Sequence, residues 1–234
     1  MVLLKVNGER NSGTTFLEQL LKLNFGNCVY SQKTIGTTTY DWKHDIPNSN
    51  IKKKDSLVID FFIVRNLNDW LISMYYNPYH MRRHPKVENF LKNRIIPNEK
   101  VYINARTGKF VGTEDGGKTL FQLRYYKLRQ IFDYFNKQDN VIIINLEYLQ
   151  NNENCIKFLK KINEIYGLGK GGDYKLVEKH TKVRRIGVKN RKYNINIEQY
   201  QSIINARKND GLEKMITNIF WIKHNNKKIV IYKL

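Results

Sequence analysis

The chain has 234 residues, 41% of them apolar, which suffices for one domain with a sizeable core and excludes a globally disordered chain. Lysine and arginine number 41 against 21 acids, a net charge of +20, so partners bearing phosphate, sulfate or other acidic groups are expected. Two cysteines, Cys28 and Cys155, are too few for a zinc constellation or a disulfide framework, and no apolar run reaches the ~18 residues of a membrane span.

The first predicted element is a short strand, Val2, Leu3, Leu4 and Val6, which runs into Asn7-Gly8 and lacks the length and cleavage site of a signal peptide. A soluble, cytoplasmic chain is the expectation. The loop Gly8-Glu9-Arg10-Asn11-Ser12-Gly13 follows, then a helix from Thr14 to about Asn24, with Phe16, Leu17, Leu20 and Leu21 on one stripe and Gly26 as its stop. Residues 27–55 read as polar and irregular, with a short strand near Cys28 to Tyr30. Leu57 to Val64 is nearly continuous in apolar residues, as a buried parallel strand should be. A helix is predicted from about Asn68. Residues 78–117 carry three of the four prolines and read as an irregular insertion or lid with short helices. A long helix is predicted from about Thr119 to Asn136, a third buried strand from Val141 to Asn145, and a helix from Asn152 to Tyr166. A glycine-rich basic stretch covers 167–192; within 170–192 nine basic residues stand against two acids. A helix near Glu198 to Asn218 and a strand from Ile229 to Tyr232 complete the chain. Strands alternating with helices predict a single α/β domain over 1–234, three-layered as α/β/α, with a mainly parallel central sheet.

Two segments carry chemistry. Gly8-x-x-x-x-Gly13-Thr14-Thr15 lies between a strand and a helix, the context of a P-loop-like anion cradle. Backbone N–H groups of such a loop converge on an anion, and the helix N-terminus adds partial positive charge. Arg10 supplies a full charge; Ser12, Thr14 and Thr15 supply hydroxyl donors. The lysine that follows the second glycine of a nucleotide-triphosphate loop is replaced by Thr14. The loop therefore suits an anion with one 5′-phosphate carrying a reactive sulfuryl or phosphoryl group. The second segment begins at Arg65, directly after the strand ending at Val64, with Ser73 eight residues on in the next helix. Ligands of open parallel sheets bind at the carboxyl ends of the strands, and an arginine fork with a hydroxyl makes a phosphate clamp.

Together these segments resemble the sulfotransferases that use 3′-phosphoadenosine 5′-phosphosulfate (PAPS). Glu9-Arg10-Asn11-Ser12-Gly13-Thr14-Thr15-Phe16-Leu17 is similar to their 5′-phosphosulfate loop, and Val64-Arg65-Asn66-Leu67-Asn68-Asp69-Trp70-Leu71-Ile72-Ser73 to their 3′-phosphate segment. Arg184-Arg185-Ile186-Gly187 resembles the late segment that closes over the 3′-phosphate, and Glu147-Tyr148-Leu149 after a strand resembles a further family element. The family lysine before Ser-Gly-Thr-Thr is Asn11 here, with Arg10 one step earlier. The resemblance implies a P-loop-like fold, sulfuryl transfer from PAPS to a hydroxyl or amine acceptor, release of 3′-phosphoadenosine 5′-phosphate (PAP), and no metal. It implies that Arg10, Asn11, Ser12, Gly13, Thr14, Thr15, Arg65, Ser73, Arg184, Arg185 and Gly187 bind the cofactor.

Of five histidines, His44 in Tyr40-Asp41-Trp42-Lys43-His44-Asp45 is the candidate general base. Lys43 and Arg10 would stabilise charge on the transferring group, and Asp41 or Asp45 would orient the imidazole or replace it. The basic charge suits a small-molecule or carbohydrate acceptor, including an anionic one, with Tyr75, Tyr76 and Tyr79 on the acceptor side. Two other readings stand beside this one. A P-loop kinase-like phosphotransferase shares the loop context, and a non-catalytic nucleic-acid-binding protein shares the basic charge, although no recognition module appears.

Overall fold

The computed structural model describes residues 2–9, 11–30, 56–76, 86–92, 94–95, 118–177, 196–217 and 219–232. In chain order the strands are β1 (Val2–Gly8), β2 (Val29–Tyr30), β3 (Leu57–Val64), β4 (Arg94–Ile95), β5 (Lys118–Thr119), β6 (Val141–Asn145), β7 (Ile219–His224) and β8 (Lys227–Tyr232). The helices are α1 (Thr14–Phe25), α2 (Leu67–Tyr76), α3 (Val87–Lys92), α4 (Leu120–Lys137), α5 (Leu146–Leu149), α6 (Asn152–Tyr166), α7 (Gln201–Asn205) and α8 (Asp210–Ile216). Six strands form one open sheet in the order β2-β1-β3-β6-β7-β8, while β4 and β5 pair separately. The first four of the six are parallel; β7 and β8 are added antiparallel.

The alternation of side chains along β3 assigns the layers. Ile59, Phe61 and Ile63 point to a core shared with Leu17, Leu20 and Leu21 of α1 and with Phe158, Leu159 and Ile162 of α6. Phe62 and Val64 point to the opposite face, against Leu128, Ile131, Phe132 and Phe135 of α4 and Ile216 of α8. Helices thus cover both faces, which is why β3 can be apolar at nearly every position. Burying each such Phe, Leu or Ile contributes about 1.5–3 kcal/mol. A third cluster joins Trp70, Leu71 and Met74 of α2 to Phe90 and Leu91 of α3, Leu120 and Phe121 of α4, and Ile204 of α7.

Local chemistry explains the element ends. Thr119 and Gln122 form a reciprocal capping box at the start of α4. Asn151 caps α6, and Gly167, with φ of 58°, ends it. Two expectations are corrected. Gly8 is the last residue of β1 rather than part of the loop, because it pairs with Ile63 of β3. The single helix expected near Glu198 to Asn218 is instead a 3₁₀ turn (Ile197–Tyr200), α7 and α8, separated by 206–209, followed by a strand, β7, that the sequence reading missed. The final strand begins at Lys227 rather than Ile229. Asn225 and Asn226, with φ of 49° and 58°, make the two-residue turn between β7 and β8, a conformation asparagine tolerates better than most residues. Within the expected insertion, α3 and β4 are ordered elements, and β4–β5 pairing brings the residues on either side of 96–117 together.

Candidate functional site

The strand order reverses at β1: the chain moves from β1 to β2 on one side, and β3 and β6 lie on the other. Such a switch point opens a crevice at the carboxyl ends of the strands, here after Gly8 and Val64. The loop after β1 and Arg65 after β3 are therefore neighbours. Arg65 Nη1 donates to the Asn11 carbonyl at 3.4 Å, and the Asn11 side-chain amide donates to Met74 Sδ at 2.9 Å, beside Ser73. One loop residue thus touches Arg65 and the helix residue that follows Ser73. Ser73 is half-buried on the second turn of α2.

The loop is shaped by backbone. Asn11 and Gly13 are both left-handed, with φ of 61° and 100°. A Cβ on Gly8 would lie 2.5 Å from the Ile63 carbonyl oxygen, and one on Gly13 would lie 2.9 Å from Leu146 Cδ1. Gly13→Ala combines an unfavourable φ with that contact and is expected to cost about 2 kcal/mol, read as a lower urea midpoint. Ser12 is fully buried; its hydroxyl donates to the Glu9 carbonyl at 2.6 Å and closes the loop from inside. Thr14 is buried and Thr15 exposed at the start of α1, whose first turn carries no acidic residue. The helix field there favours an anion.

Two arginines meet at this edge and differ in how fully they are used. Arg124, 1% exposed, donates from Nε to Glu213 Oε1 (2.6 Å), from Nη1 to Glu9 Oε2 (2.8 Å), and from Nη2 to Glu213 Oε2 (2.8 Å) and the Arg65 carbonyl (2.7 Å). Its guanidinium also stacks 4.8 Å from the centre of the Trp70 ring. Arg65 is held loosely. Its Nε lies 3.4 Å from Glu147 Oε1, yet both atoms are buried with no hydrogen-bond partner among the described residues. An arginine with unused donors at a strand end is chemically prepared for an anion; one with its fork saturated by protein is structural. Glu147 Oε2 accepts from the Asn66 N–H at 2.9 Å, and Asn145 donates to the Asn66 side chain and to the Ile216 carbonyl, each at 2.9 Å.

Burial pushes the Glu9 carboxyl up to about 7, against the pull of Arg124. Glu213 adds to the rise, because two carboxylates share one guanidinium and the more buried one keeps its proton longer. For Arg124 burial works downward, and the charges of Glu9 and Glu213 outweigh it, so that group stays protonated.

Of the residues singled out in the sequence, Asn11, Ser12, Gly13, Thr14, Thr15, Arg65 and Ser73 gather at this edge. Arg10, Lys43, His44, Arg184, Arg185 and Gly187 lie outside the described residues, as do Asp41, Asp45 and Tyr79. Arg124, Glu213 and the role of the Glu9 side chain were missed. The signal for Arg124 was present: it occupies the apolar stripe of α4 between Leu120 and Leu128, where a charge needs buried partners. Among the described residues no group of three or more His, Cys, Asp or Glu side chains could hold a metal ion, and no helix is long and apolar enough to cross a membrane. No protein-family model, curated protein or solved structure matches the chain.

Proposed function

We propose that the chain is a sulfotransferase with a P-loop-like fold, which takes a sulfuryl group from PAPS and passes it to a hydroxyl or amine acceptor. The observation that carries this reading is the contact of one loop residue, Asn11, with both Arg65 and the turn of α2 that bears Ser73. That arrangement suits a ligand with two anionic ends, one on the loop after β1 and one on the arginine–serine pair.

The residues present fit such a group. The left-handed loop and the start of α1 would receive the 5′ end, and the unused donors of Arg65 with the Ser73 hydroxyl would receive the 3′-phosphate. When bound, PAPS supplies a sulfuryl group whose S–O bond to the 5′-phosphate breaks as the acceptor oxygen or nitrogen bonds to sulfur, leaving PAP. The protein's work is then positioning and charge neutralisation, as in phosphoryl transfer. Arg65 neutralises charge at one end of the site. In this reading Arg10 and Lys43 do so at the transferring end, His44 takes the acceptor proton, and Arg184, Arg185 and Gly187 complete the cofactor site. An anionic small molecule or carbohydrate is the acceptor class that the net charge of +20 favours.

Calorimetric titration with PAP in EDTA and moderate salt, with ADP as the control, tests the reading. Both nucleotides are adenosine bearing two phosphates: PAP has one at each of the 3′ and 5′ positions, and ADP has both at the 5′ position. The expected result is micromolar PAP binding that clearly exceeds ADP binding. Equal or absent binding would overturn it, and Mg²⁺-dependent ATP turnover would put a phosphotransferase in its place.

A further inference from the structure

We infer that Arg124 is the positioning residue of this site: one guanidinium holds the Glu9 side chain of the loop and the Arg65 carbonyl of the clamp, so the two anion-holding segments keep a set separation. The inference rests on the reading of this edge as an anion site.

An ordinary buried ion pair would need only Glu213. Nε and Nη2 already form a complete side-on pair with its two oxygens, at 2.6 and 2.8 Å. The rest of the fork is directed elsewhere, with Nη1 on Glu9 at 2.8 Å and a second bond from Nη2 to the Arg65 carbonyl at 2.7 Å. Trp70 lies beside the guanidinium plane and limits its swing. The four partners come from the loop after β1, the end of β3, α2 and α8. Topology delivers them. The chain enters β6 from α4 and runs parallel to β3, so the first turns of α4 lie at the carboxyl edge of the sheet. Because β7 is antiparallel to β6, α8, which precedes it, ends at that same edge, where Asn145 holds the Ile216 carbonyl.

Glu9 gives the arrangement a distinctive signature. Among the described residues the charged groups facing it are Arg124 and Lys127 from α4 and Glu213 from α8. An anion on the loop disfavours an ionised carboxylate behind it, so anion affinity should fall as Glu9 loses its proton.

The test is an amide NMR titration with inorganic sulfate, which takes up no proton between about pH 6 and pH 8, unlike the phosphates of PAP. Sulfate affinity in the wild type is expected to fall as pH rises through about 7. Glu9→Gln should remove that dependence. Arg124→Gln should move the midpoint up, since Glu9 loses the charge that favours its ionised form, and Glu213→Gln should move it down. Without sulfate, Arg124→Gln should speed hydrogen exchange in 11–16 and 65–67 by about tenfold, whereas Glu213→Gln, which leaves the bonds to Glu9 and Arg65 in place, should change it little. The midpoint shift reports the charge of Arg124 on Glu9, and unchanged exchange in both segments would overturn the positioning role whether or not an anion binds. Should Arg124→Gln fail to fold, Arg124→Lys, which keeps the charge and loses the fork that reaches Glu9 and Arg65 together, decides the matter by the same exchange readout. Absence of any sulfate shift in 11–16 would instead count against the anion site itself.

Discussion

Arg65→Ala is expected to weaken PAP binding by about 100-fold, close to 3 kcal/mol, the scale of losing a charge-assisted, partly desolvated phosphate contact. The effect should fall on binding rather than on the fold. Arg65 Nη1 makes one long bond, 3.4 Å, to the Asn11 carbonyl, and Nε only approaches Glu147 without bonding it. Glu147 keeps the Asn66 N–H when Arg65 is removed, so the stability loss should stay near 1 kcal/mol. Arg65→Lys retains charge and loses the planar fork, and an intermediate loss of about 10-fold is expected. Calorimetry on the three proteins with PAP and ADP reads both effects. Unchanged PAP affinity in Arg65→Ala would remove the 3′-phosphate assignment. An equal loss for ADP would mean that Arg65 serves the 5′ end instead.

The second large effect is on stability. Arg124→Met removes four hydrogen bonds and leaves Glu9 and Glu213 facing each other without the guanidinium between them, with Lys127 the remaining described cation acting on Glu9, in a place that is 1% exposed at the arginine. Breaking a buried ion network from one side costs about 3–5 kcal/mol, a large part of the about 5–15 kcal/mol that holds a domain folded. Urea unfolding should show a lower midpoint with an unchanged slope. Adding Glu9→Gln and Glu213→Gln to Arg124→Met should recover part of the loss, because the cost lies in stranded charge rather than in missing attraction. No recovery would mean that Arg124 stabilises through packing on Trp70.

The same network sets a pH dependence. Glu9 has an ordinary value of 4.5 and is raised to about 7 in the folded protein, so the folded state binds the extra proton between those limits. Its contribution to stability is therefore full below about pH 4.5, is lost as pH rises from about 4.5 to about 7, and is flat above that. Glu9→Gln should remove this slope from the unfolding free energy, and an unaltered slope would place the titration elsewhere.

Much of the framework was legible because local chemistry sufficed. Apolar runs bounded by loops marked β3 and β6, an apolar stripe marked α1, and the helices expected over about 119–136 and 152–166 match α4 and α6, each within a residue or so of the structure. The loop Gly8 to Gly13 and the Arg65–Ser73 spacing pointed to one edge of the sheet for the same reason: a strand followed directly by a helix must turn at its carboxyl end. The helix expected to run through 218 failed because Glu213 to Ile216 continue a helical pattern while Ile219 to Ile222 are apolar enough for either state. Pairing with β6 is what makes the second stretch a strand.

Composition and spacing along the chain thus settled the elements up to α6, the basic charge and the placing of a glycine loop at a strand end. The meeting of Asn11 with Arg65 and Met74, and of Arg124 with Glu9, Arg65 and Glu213, was decided only in three dimensions. Those partners are separated by 54 to 115 residues in sequence. Whether an arginine on an apolar helix stripe saturates its fork on protein, or keeps donors for a ligand, depends on which chain ends the sheet order brings beside it. No periodicity within a single helix or strand encodes that order.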